Sequence, residues 1–346
     1  MSLTFRKIVA ASLSTNFREA CKIVHSEVGN LGDLEVLVKN RFVGINATDV
    51  NVAAGRYSPS RKPPLETGLE GVGTIVEVGK DVPSELKGKA VGYIYNGAFS
   101  EYITLPAKVA LPLPAEKPAY VPLLISGLTA AIAFDKLGEL KPKETVLITA
   151  AAGGTGHLAV QLAKLAGCHV IALCSSKEKV DFLQNLGCDR VINYKEEDFG
   201  KALRDEYPRG IDVVYESIGG NVFETCLNRL AIGGRIISLG FISSYHSPGG
   251  VDRNVKHATI IQKLLLKSAS VRGFFLMNHA KHYGEYLPKL IDLVQKDQLK
   301  PHIEVIPCTQ SSDGLQSVFD AVDYLYSRSS IGKIVVDLKM IPGSNL

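Results

Sequence analysis

Residues 144–157 have the sequence E-T-V-L-I-T-A-A-A-G-G-T-G-H, in which a short apolar run leads directly into three closely spaced glycines. The run is partly β-branched, a pattern typical of a strand buried on both faces, and apolar residues at helical spacing follow the glycines. Glycines allow a tight turn and a close approach of the backbone to a phosphate, and the N–H groups that open a helix favour an anion. The stretch therefore predicts a strand, turn and helix that bind a pyrophosphate. The predicted contacts come from Gly153, Gly154, Thr155 and Gly156.

The next apolar run, 168–174, predicts a second strand that ends about twenty residues after the glycines, where a Rossmann unit selects its nucleotide. An NAD site has an acidic side chain there for the ribose 2′-hydroxyl. This chain has hydroxyl and ammonium groups, which suit a 2′-phosphate that a carboxylate would repel. The alternative is a solvated loop that happens to carry lysines. We predict NADPH, held at this end by Ser175, Ser176, Lys179 and, after the third strand, Tyr194.

Composition predicts an intracellular enzyme of two domains, each with its own core, since the chain has 346 residues. A net charge of +4 without a basic stripe argues against nucleic acid. The six cysteines lie far apart and are expected to be reduced. The N-terminal apolar stretch is too short for a secretory signal, and the run 123–134 is too short to span a bilayer, so we expect no membrane insertion.

The order of patterns divides the chain into a β-rich part, a stiff connector and an α/β part. Alternating residues and glycines up to about 109 predict a curled antiparallel sheet, and four prolines in 111–122 predict the connector. Alternating strands and helices follow, with later strands at 211–216, 235–241 and 270–276, which makes six parallel-type strands. The run I-G-K-I-V-V-D-L (331–338) predicts a strand that returns to the first domain.

The chain contains several ordered motifs, which are G-I-N-A-T-D (44–49), A-G-R-Y (54–57), G-L-E-G-V-G (68–73), S-G-L-T-A (126–130), T-A-A-A-G-G-T-G (149–156), V-V-Y-E-S-I-G-G (213–220), G-F-I-S-S-Y (240–245) and S-A-S-V-R-G-F-F-L (268–276). Together they resemble the medium-chain dehydrogenase/reductase superfamily, over essentially the whole chain. They are most similar to its quinone-oxidoreductase-like branch and, within that branch, to the prostaglandin reductases. The resemblance implies an α/β fold in which a doubly wound, six-stranded Rossmann domain (125–299) accompanies a GroES-like substrate domain (1–124 and 300–346).

Zinc enzymes of the superfamily need catalytic Cys and His ligands and a lobe of four cysteines, because zinc requires such soft or imidazole donors. Here Leu69 stands where those enzymes have the metal histidine. The early loop that would carry a cysteine has Ile45, Asn46 and Thr48, and the span 80–110 has no cysteine. We therefore predict no metal.

Without a metal, reduction of an isolated ketone needs a well-placed general acid, and no tyrosine of this chain has a lysine four residues later. Conjugate reduction is easier, since hydride adds to the β-carbon of an enone and hydrogen bonds can hold the enolate. The residues thus favour reduction of C=C bonds in α,β-unsaturated ketones or aldehydes, or of quinones, and the resemblance implies 15-oxo-prostaglandins as substrates. The alternatives are an NADPH-binding protein without turnover, as among lens crystallins, and a redox-sensing partner protein.

The resemblance assigns three catalytic candidates. Tyr245 matches a tyrosine beside the nicotinamide ribose and the substrate carbonyl, where its phenol donates to the enolate oxygen; a packing tyrosine is the alternative. Tyr57 is expected to line the substrate cleft, against an ordinary surface tyrosine. Asn46 is expected to donate its amide to a carbonyl or to the nicotinamide, against an asparagine that caps a turn.

Further cofactor contacts follow from the same motifs. The helix that begins near Ser126 and Thr129 is expected to meet the diphosphate, although helix capping alone explains both residues. Phe274 and Phe275 on the sixth strand are expected to present backbone to the carboxamide and to cover the ring, with core packing as the alternative. The remaining predicted contacts are Ser217, Gly240, Phe241 and Ile242.

Two expectations concern assembly and location. The sixth strand, within 268–276, would leave an apolar edge exposed, so we predict a homodimer that pairs this strand with its mate. The chain ends in Ser344-Asn345-Leu346, close to the S-K-L tripeptide of peroxisomal import. This predicts a peroxisomal enzyme, with a random tail on a cytoplasmic enzyme as the alternative.

Overall fold

The computed structural model describes residues 3–57, 59–247, 257–306 and 313–339. The chain divides into two compact units, Met1–Ile125 with His302–Leu346, and Ser126–Pro301. These boundaries lie one residue from the predicted change of domain near 124 and two from that near 299.

The strands of the described residues are numbered in chain order. They are β1 (Thr4–Ala10), β2 (Cys21–Glu27), β3 (Glu35–Gly44), β4 (Leu65–Glu66), β5 (Glu70–Val78), β6 (Ala90–Ile94), β7 (Tyr102–Pro106), β8 (Leu111–Pro112), β9 (Thr145–Ile148), β10 (His169–Cys174), β11 (Arg190–Asn193), β12 (Ile211–Glu216), β13 (Leu230–Ser238), β14 (Ser270–Gly273), β15 (Ile303–Ile306) and β16 (Lys333–Asp337). The α-helices are α1 (Phe17–Ala20), α2 (Asp49–Ala53), α3 (Ile125–Ala133), α4 (Gly156–Leu165), α5 (Lys177–Asn185), α6 (Phe199–Glu206), α7 (Gly220–Arg229), α8 (His257–Lys267), α9 (Tyr283–Gln295) and α10 (Gly314–Tyr326).

The strands of the first unit pair antiparallel, as the alternating pattern predicts, except that β15 pairs parallel to β16. The larger sheet has the order β15-β16-β3-β5-β6-β8, with β7 paired to β3, and the smaller has the order β2-β1-β4. Alternate residues of β3, among them Val36 and Val38, pack with Ile75 and Leu105 in its core. The last strand, β16, pairs antiparallel to β3 with Val335 opposite Gly44, which confirms the predicted return of the chain end.

The proline-rich segment 111–122 is more than a connector. Its first residues form β8, which pairs with β6, and Pro118–Leu123 form a 3₁₀ helix that begins with proline. Val121 and Leu123 are fully buried, so this part of the segment belongs to the core of the structure. The stiff-spacer interpretation was therefore wrong, because apolar residues between the prolines supply packing that composition alone does not reveal.

The second unit contains a six-stranded parallel sheet in the described chain, with the order β11-β10-β9-β12-β13-β14. Numbered by their sequence within the unit, the strands lie in the order 3-2-1-4-5-6 of a doubly wound Rossmann fold. Leu147, Ile171 and Val214 of this sheet are fully buried in its hydrophobic core. The predicted fold class is thereby confirmed, and the strand order reverses between β9 and β12.

Two strand ends differ from the sequence prediction. The fifth strand begins at Leu230, and Gly233 (φ +72°) gives it an irregular start before Arg235. The sixth strand ends at Gly273, so placing Phe274 and Phe275 within it was wrong. The Phe274 N–H still donates to Ser238 O (2.9 Å), after which the backbone turns into a 3₁₀ helix.

Among the described residues, one helical stretch, Pro118–Gly138, is long and apolar enough to cross a membrane, with 21 residues and a mean hydropathy of 1.4. Inside the protein, 67% of its apolar window is buried. Since core helices pass the same test, the stretch is weak evidence for a membrane span.

Candidate functional site

Most of the predicted cofactor residues lie along one edge of the parallel sheet. In a doubly wound sheet, nucleotides bind beyond the carboxyl ends of the strands, at the point where the strand order reverses. Here that point lies between β9 and β12, which carry the glycine turn and Ser217. The predicted residues that follow the strands at this edge are Gly153, Gly154, Thr155 and Gly156 (after β9), Ser175, Ser176 and Lys179 (after β10), Tyr194 (after β11), Ser217 (after β12), Gly240, Phe241 and Ile242 (after β13), and Phe274 and Phe275 (after β14).

The glycine turn after β9 has the shape of a phosphate cradle. Ala150 has a left-handed backbone (φ 46°), a conformation that costs energy in a residue other than glycine and is often found at functional turns. A Cβ on Gly156 would overlap Ala150 O and lie 2.7 Å from Ala151 Cα, so only glycine fits there. His157 braces the turn through Nδ1 and Gly153 O (2.9 Å), and the side chain of Thr155 does not cap α4. The first N–H groups of α4 therefore suit a pyrophosphate.

The hydroxyl and ammonium groups of the predicted 2′-phosphate site lie at the ends of two neighbouring strands. The Tyr194 N–H donates to Cys174 O (3.1 Å), which ties the end of β11 to the end of β10. Ser175 is buried, whereas the ring of Tyr194 is partly exposed. Ser176 instead caps α5, because its Oγ accepts from the Lys179 N–H (3.4 Å).

The first turn of α5 also contains an acidic side chain, Glu178, which the cofactor prediction from the sequence did not consider. Hydrogen bonds from a backbone N–H and from the Ser176 hydroxyl lower the pKa of Glu178, with a smaller contribution from Lys177 and Lys179. A carboxylate at this place opposes the binding of a 2′-phosphate, while the two lysines favour it. The preference for NADPH thus depends on Lys177 and Lys179 outweighing Glu178.

The turn after β12 and the loop after β13 are bonded to each other. The Ile242 N–H donates to Ser217 O (3.2 Å), and the Ser243 N–H donates to Ile218 O (3.0 Å). In this loop Tyr245 is buried, with its ring edge-on to Phe241 at 5.1 Å between centroids. The loop is therefore anchored at 239–245 by backbone hydrogen bonds and an aromatic contact.

The Tyr245 hydroxyl lies beside Gly240, since a Cβ on Gly240 would be 2.9 Å from it. This places the phenol at the carboxyl-terminal edge of the sheet, in the segment that the motif G-F-I-S-S-Y assigns to the nicotinamide. Both sequence-based alternatives are compatible with this geometry, because the ring packs on Phe241 while the hydroxyl lies beside Gly240. Its catalytic role stays a prediction.

The remaining residues predicted near the cofactor have different surroundings. On α3, Ser126 is buried and Thr129 is half-buried one turn later. After β14, Phe274 is buried and its ring stacks on His279 at 4.6 Å, whereas Phe275 is 48% exposed. The roles assigned to these four residues stay predictions.

In the first unit, Asn46 belongs to a buried polar cluster that also contains Asp49, Glu70 and Lys333. Lys333 Nζ bonds Glu70 Oε1 (2.5 Å) and Asn46 Oδ1 (2.7 Å), and Asn46 Nδ2 donates to Glu70 Oε1 (3.0 Å). Glu70 and Lys333 have 0% and 2% of their side chains exposed, so each charge depends on its partner. The Asn46 amide has protein partners at both its oxygen and its nitrogen. A contact with substrate, which stays a prediction, must compete with them.

Asp49 completes this cluster and is fully buried. Its Oδ2 accepts from the Asn46 N–H (2.8 Å), whereas Oδ1 has no hydrogen-bond partner among the described residues. Burial raises the pKa of Asp49 to about 7, and the hydrogen bond from Asn46 and the charge of Lys333 only partly oppose the shift. A neutral Asp49 leaves one carboxylate, Glu70, to balance Lys333.

Tyr57 lies at the surface of the first unit, with 48% of the residue exposed. Its hydroxyl shares a hydrogen bond with Thr48 Oγ1 (2.5 Å), in the turn that follows Asn46. The structure thus brings Tyr57 and the loop of Asn46 together, as a cleft-lining role requires. That role stays a prediction.

The donor set does not fit zinc. Leu69 precedes buried Glu70 at the place of the expected histidine, and Asn46 and Thr48 are weak zinc ligands. Within the described ranges, no three His, Cys, Asp or Glu side chains are grouped so that they could hold a metal ion. Metal-free chemistry stays a prediction.

Sequence reasoning missed Thr149, Glu216 and Lys333. Each had a signal, because each is a polar residue in or next to an otherwise apolar strand: T-V-L-I-T, I-D-V-V-Y-E and K-I-V-V. All three are nearly or fully buried, and buried polar groups need specific partners. The partners of Thr149 and Lys333 lie far away in sequence and could not be identified from it. Those of Glu216 are backbone N–H groups of the turn that directly follows it.

A cavity of about 910 Å³ lies at the opposite, amino-terminal edge of the parallel sheet. It is lined by residues of 141–145, 207–210 and 228–232, and by Asp212 and Lys267. None of the predicted cofactor residues takes part in it, so we assign it no role in the reaction.

Two family models match the chain. The "Alcohol dehydrogenase GroES-like domain" matches 32–115, and "Zinc-binding dehydrogenase" matches 154–296. Among curated proteins, prostaglandin reductase-3 of Mus musculus is 47% identical over 97% of this chain and 90% of its own length. A probable quinone oxidoreductase of Leishmania amazonensis is 39% identical over 97% of this chain and 98% of its own. The NADP⁺-dependent 2-alkenal reductase of Nicotiana tabacum is 34% identical over 61% and 59%.

Solved structures agree over nearly the whole fold. The quinone oxidoreductase of Pseudomonas syringae pv. tomato DC3000 has a TM-score of 0.84 and 28% identity, over 96% of this chain and 99% of its own. The Escherichia coli quinone oxidoreductase, solved in complex with NADPH, has a TM-score of 0.83 and 27% identity, over 95% and 99%.

Proposed function

Because the chain belongs to the zinc-binding dehydrogenase family of medium-chain dehydrogenases/reductases, we propose that it is an NADPH-dependent reductase of C=C bonds in α,β-unsaturated ketones. The substrates that we propose first are 15-oxo-prostaglandins, reduced at the double bond conjugated to the ketone. The similarity to prostaglandin reductase-3 and to 2-alkenal reductase supports this substrate class.

The observation that carries the proposal is the glycine turn at the reversal of strand order. Only glycine fits at 156, and the uncapped start of α4 presents N–H groups where a pyrophosphate lies in doubly wound folds. The residues present therefore fit a dinucleotide. Lys179, Ser175 and Tyr194 are proposed to hold the 2′-phosphate, which makes the dinucleotide NADPH.

NADPH supplies a hydride when it is bound. The proposed role of Ser217, Gly240 and Ile242 is to fix the nicotinamide end through the bonded turn and loop. As the substrate β-carbon accepts hydride, negative charge develops on the carbonyl oxygen. The Tyr245 hydroxyl, in its position beside Gly240, is proposed to donate a hydrogen bond to that oxygen and so to stabilise the enolate. The α-carbon of the enolate then takes up a proton from water.

Reduction of a quinone is the second candidate, and the names of the Leishmania and E. coli relatives favour it. A quinone carbonyl also gains negative charge when hydride arrives, so the same tyrosine can serve both reactions. The two candidates differ only in the acceptor.

Steady-state NADPH oxidation with a 15-oxo-prostaglandin, a 2-alkenal, and ortho- and para-quinones separates the candidates. We expect kcat/KM for the prostaglandin enone to exceed that for each quinone by at least tenfold. A quinone preferred by that margin would contradict the enone assignment, and no turnover of any acceptor would contradict an enzymatic function.

We also propose an assembly and a location for the protein. Strand β14 lies at the end of the sheet order, and Val271 on it and Phe275 beyond it are partly exposed, which supports a homodimer through this edge. A monomer in sedimentation at micromolar concentration would contradict it.

The tripeptide Ser344-Asn345-Leu346 lies outside the described residues, and its likeness to S-K-L supports a peroxisomal location. An N-terminal fluorescent fusion should give puncta that deletion of Leu346 disperses, and a diffuse signal from the intact tail would contradict the proposal.

A further inference from the structure

Glu216, the last residue of β12, has no solvent exposure and lies beneath the turn that carries Ser217. Its Oε1 accepts two backbone hydrogen bonds, from Ile218 N–H (2.8 Å) and Gly219 N–H (2.9 Å). Its Oε2 is buried and has no hydrogen-bond partner within the described part of the chain. One carboxyl oxygen thus supplies all of the bonding between this side chain and the turn.

A side chain at the end of β9 accepts the remaining N–H group of this turn. The Ser217 N–H donates to Thr149 Oγ1 (3.0 Å), and the Thr149 hydroxyl donates to Tyr215 O (3.3 Å). The three successive N–H groups of 217–219 are therefore all held by buried side chains, of Thr149 and Glu216. The turn has its shape because these two side chains satisfy its donors.

The acceptor side of the same turn holds the loop after β13. Carbonyl oxygens of 216, 217 and 218 accept, in that order, from the N–H groups of Leu239 (2.8 Å), Ile242 (3.2 Å) and Ser243 (3.0 Å). The contact is close: a Cβ on Gly219 (φ +79°) would lie 2.9 Å from the Phe241 side chain. A change in the turn must therefore move the loop that carries Tyr245.

We propose that Glu216 is a positioning residue of the reductase: it orders the 217–219 turn and, through it, the 239–245 loop that presents Tyr245 and the nicotinamide contacts. The inference rests on the proposed function for its catalytic consequence. Its structural part, the order of turn and loop, is independent of turnover.

The surroundings of Glu216 favour a neutral side chain. Burial raises the pKa of Glu216 to about 7, while the hydrogen bonds from Gly219 and Ile218 oppose the shift. The titratable group that faces it is the Cys226 thiol of α7, whose pKa burial also raises, and on β9 the neighbour is the neutral hydroxyl of Thr149. A neutral amide can therefore take the place of the carboxyl group.

The test compares Glu216→Gln, which keeps an oxygen acceptor for both N–H groups, with Glu216→Ala, which removes it. The matched control is Asp212→Asn, at the other end of β12, where the carboxyl accepts from the Thr145 N–H (2.8 Å). Hydrogen exchange is measured by mass spectrometry across 216–245, together with NADPH affinity by fluorescence titration, kcat and KM.

Glu216→Ala should speed exchange at 218, 219 and 239–245, weaken NADPH at least fivefold and lower kcat, because two hydrogen bonds to the turn are lost. Glu216→Gln and the control should stay within twofold of wild type at pH 6.5. Exchange and NADPH affinity of Glu216→Ala equal to wild type would overturn the inference.

A pH series keeps the inference testable when Glu216→Ala does not fold. Above pH 7 the wild-type carboxyl ionises in a buried place. Relative to Glu216→Gln, wild-type NADPH affinity should therefore fall, and wild-type loop exchange, corrected for the intrinsic rate of amide exchange at each pH, should rise. Identical profiles from pH 6 to 8.5 would overturn the inference. Exchange and NADPH binding do not need an enone, so a wild type that reduces no acceptor would refute the proposed function alone.

Discussion

Replacement of Gly156 by alanine tests the phosphate cradle most sharply, because two effects oppose each other there. Gly156 is the first residue of α4, and helix propensity alone favours alanine by about 1 kcal/mol. The new Cβ, however, would overlap Ala150 O and lie 2.7 Å from Ala151 Cα and 2.8 Å from Ala151 O. These are backbone atoms, which cannot rotate away, and overpacking of this kind costs about 1–3 kcal/mol.

The overlap should outweigh the propensity, since only a shift of the turn relieves it. We expect Gly156→Ala to lower the stability of the cofactor-free protein by about 1 kcal/mol. We also expect it to raise the Kd for NADPH at least tenfold, a loss of about 1.4 kcal/mol in binding. Thermal unfolding without cofactor and fluorescence titration with NADPH measure the two effects.

One alanine variant outside the turn serves as the control. A Cβ on Gly284, near the start of α9, meets no atom within 4 Å, so Gly284→Ala should leave Kd unchanged. Wild-type stability and wild-type NADPH affinity in Gly156→Ala would refute the assignment of this turn to the pyrophosphate.

Further predictions concern cofactor choice, catalysis, pH and metal. Lys179→Ala should weaken NADPH at least tenfold and leave NADH nearly unchanged, because one charge-assisted contact contributes about 1.5–3 kcal/mol; equal losses for both cofactors would contradict it. Tyr245→Phe should lower kcat for the enone about tenfold or more and leave the Kd for NADPH unchanged, and an unchanged kcat would exclude the phenol as a donor. The pKa of Asp49 rises from an ordinary 3.8 to about 7 on folding. Protonation of Asp49 therefore adds to the free energy of unfolding, by about 4 kcal/mol at most; this contribution is complete below pH 4 and is lost as the pH rises through 7. Urea unfolding from pH 4 to 8 should show this loss in wild type and not in Asp49→Asn. Elemental analysis should find no stoichiometric zinc, and activity should survive chelation; one zinc per chain, lost together with activity, would contradict this.

The parallel sheet was predictable because its signals are local. Most strands of the second unit contain a short apolar run, and the glycines at 153, 154 and 156 occur within a single turn. The residue at which a strand ends depends less on the local sequence. Phe274 continues the apolar pattern of β14, yet the backbone leaves the sheet at Gly273. Strand ends are determined by the neighbouring strand and by packing, which a single sequence does not show.

The polar clusters were not predictable, for a different physical reason. Glu70 and Lys333 form a buried ion pair across 263 positions of sequence, and Arg6 likewise bonds Asp313 (2.7 Å). Lys333 appeared in the sequence only as one charged residue in an apolar strand. Such pairs exist because the tertiary fold brings together residues that are distant in sequence. For the same reason, the protein partners of the Asn46 amide could not be known from G-I-N-A-T-D.

The central claim is that hydride from NADPH adds to the β-carbon of an enone. NADPH that carries deuterium at the transferred C4 position, incubated with a 15-oxo-prostaglandin and the enzyme, tests this directly when the product is analysed by mass spectrometry and NMR. The predicted product is the saturated ketone with one deuterium, at the β-carbon. An allylic alcohol with deuterium at the former carbonyl carbon, or a saturated ketone without deuterium, would contradict the claim.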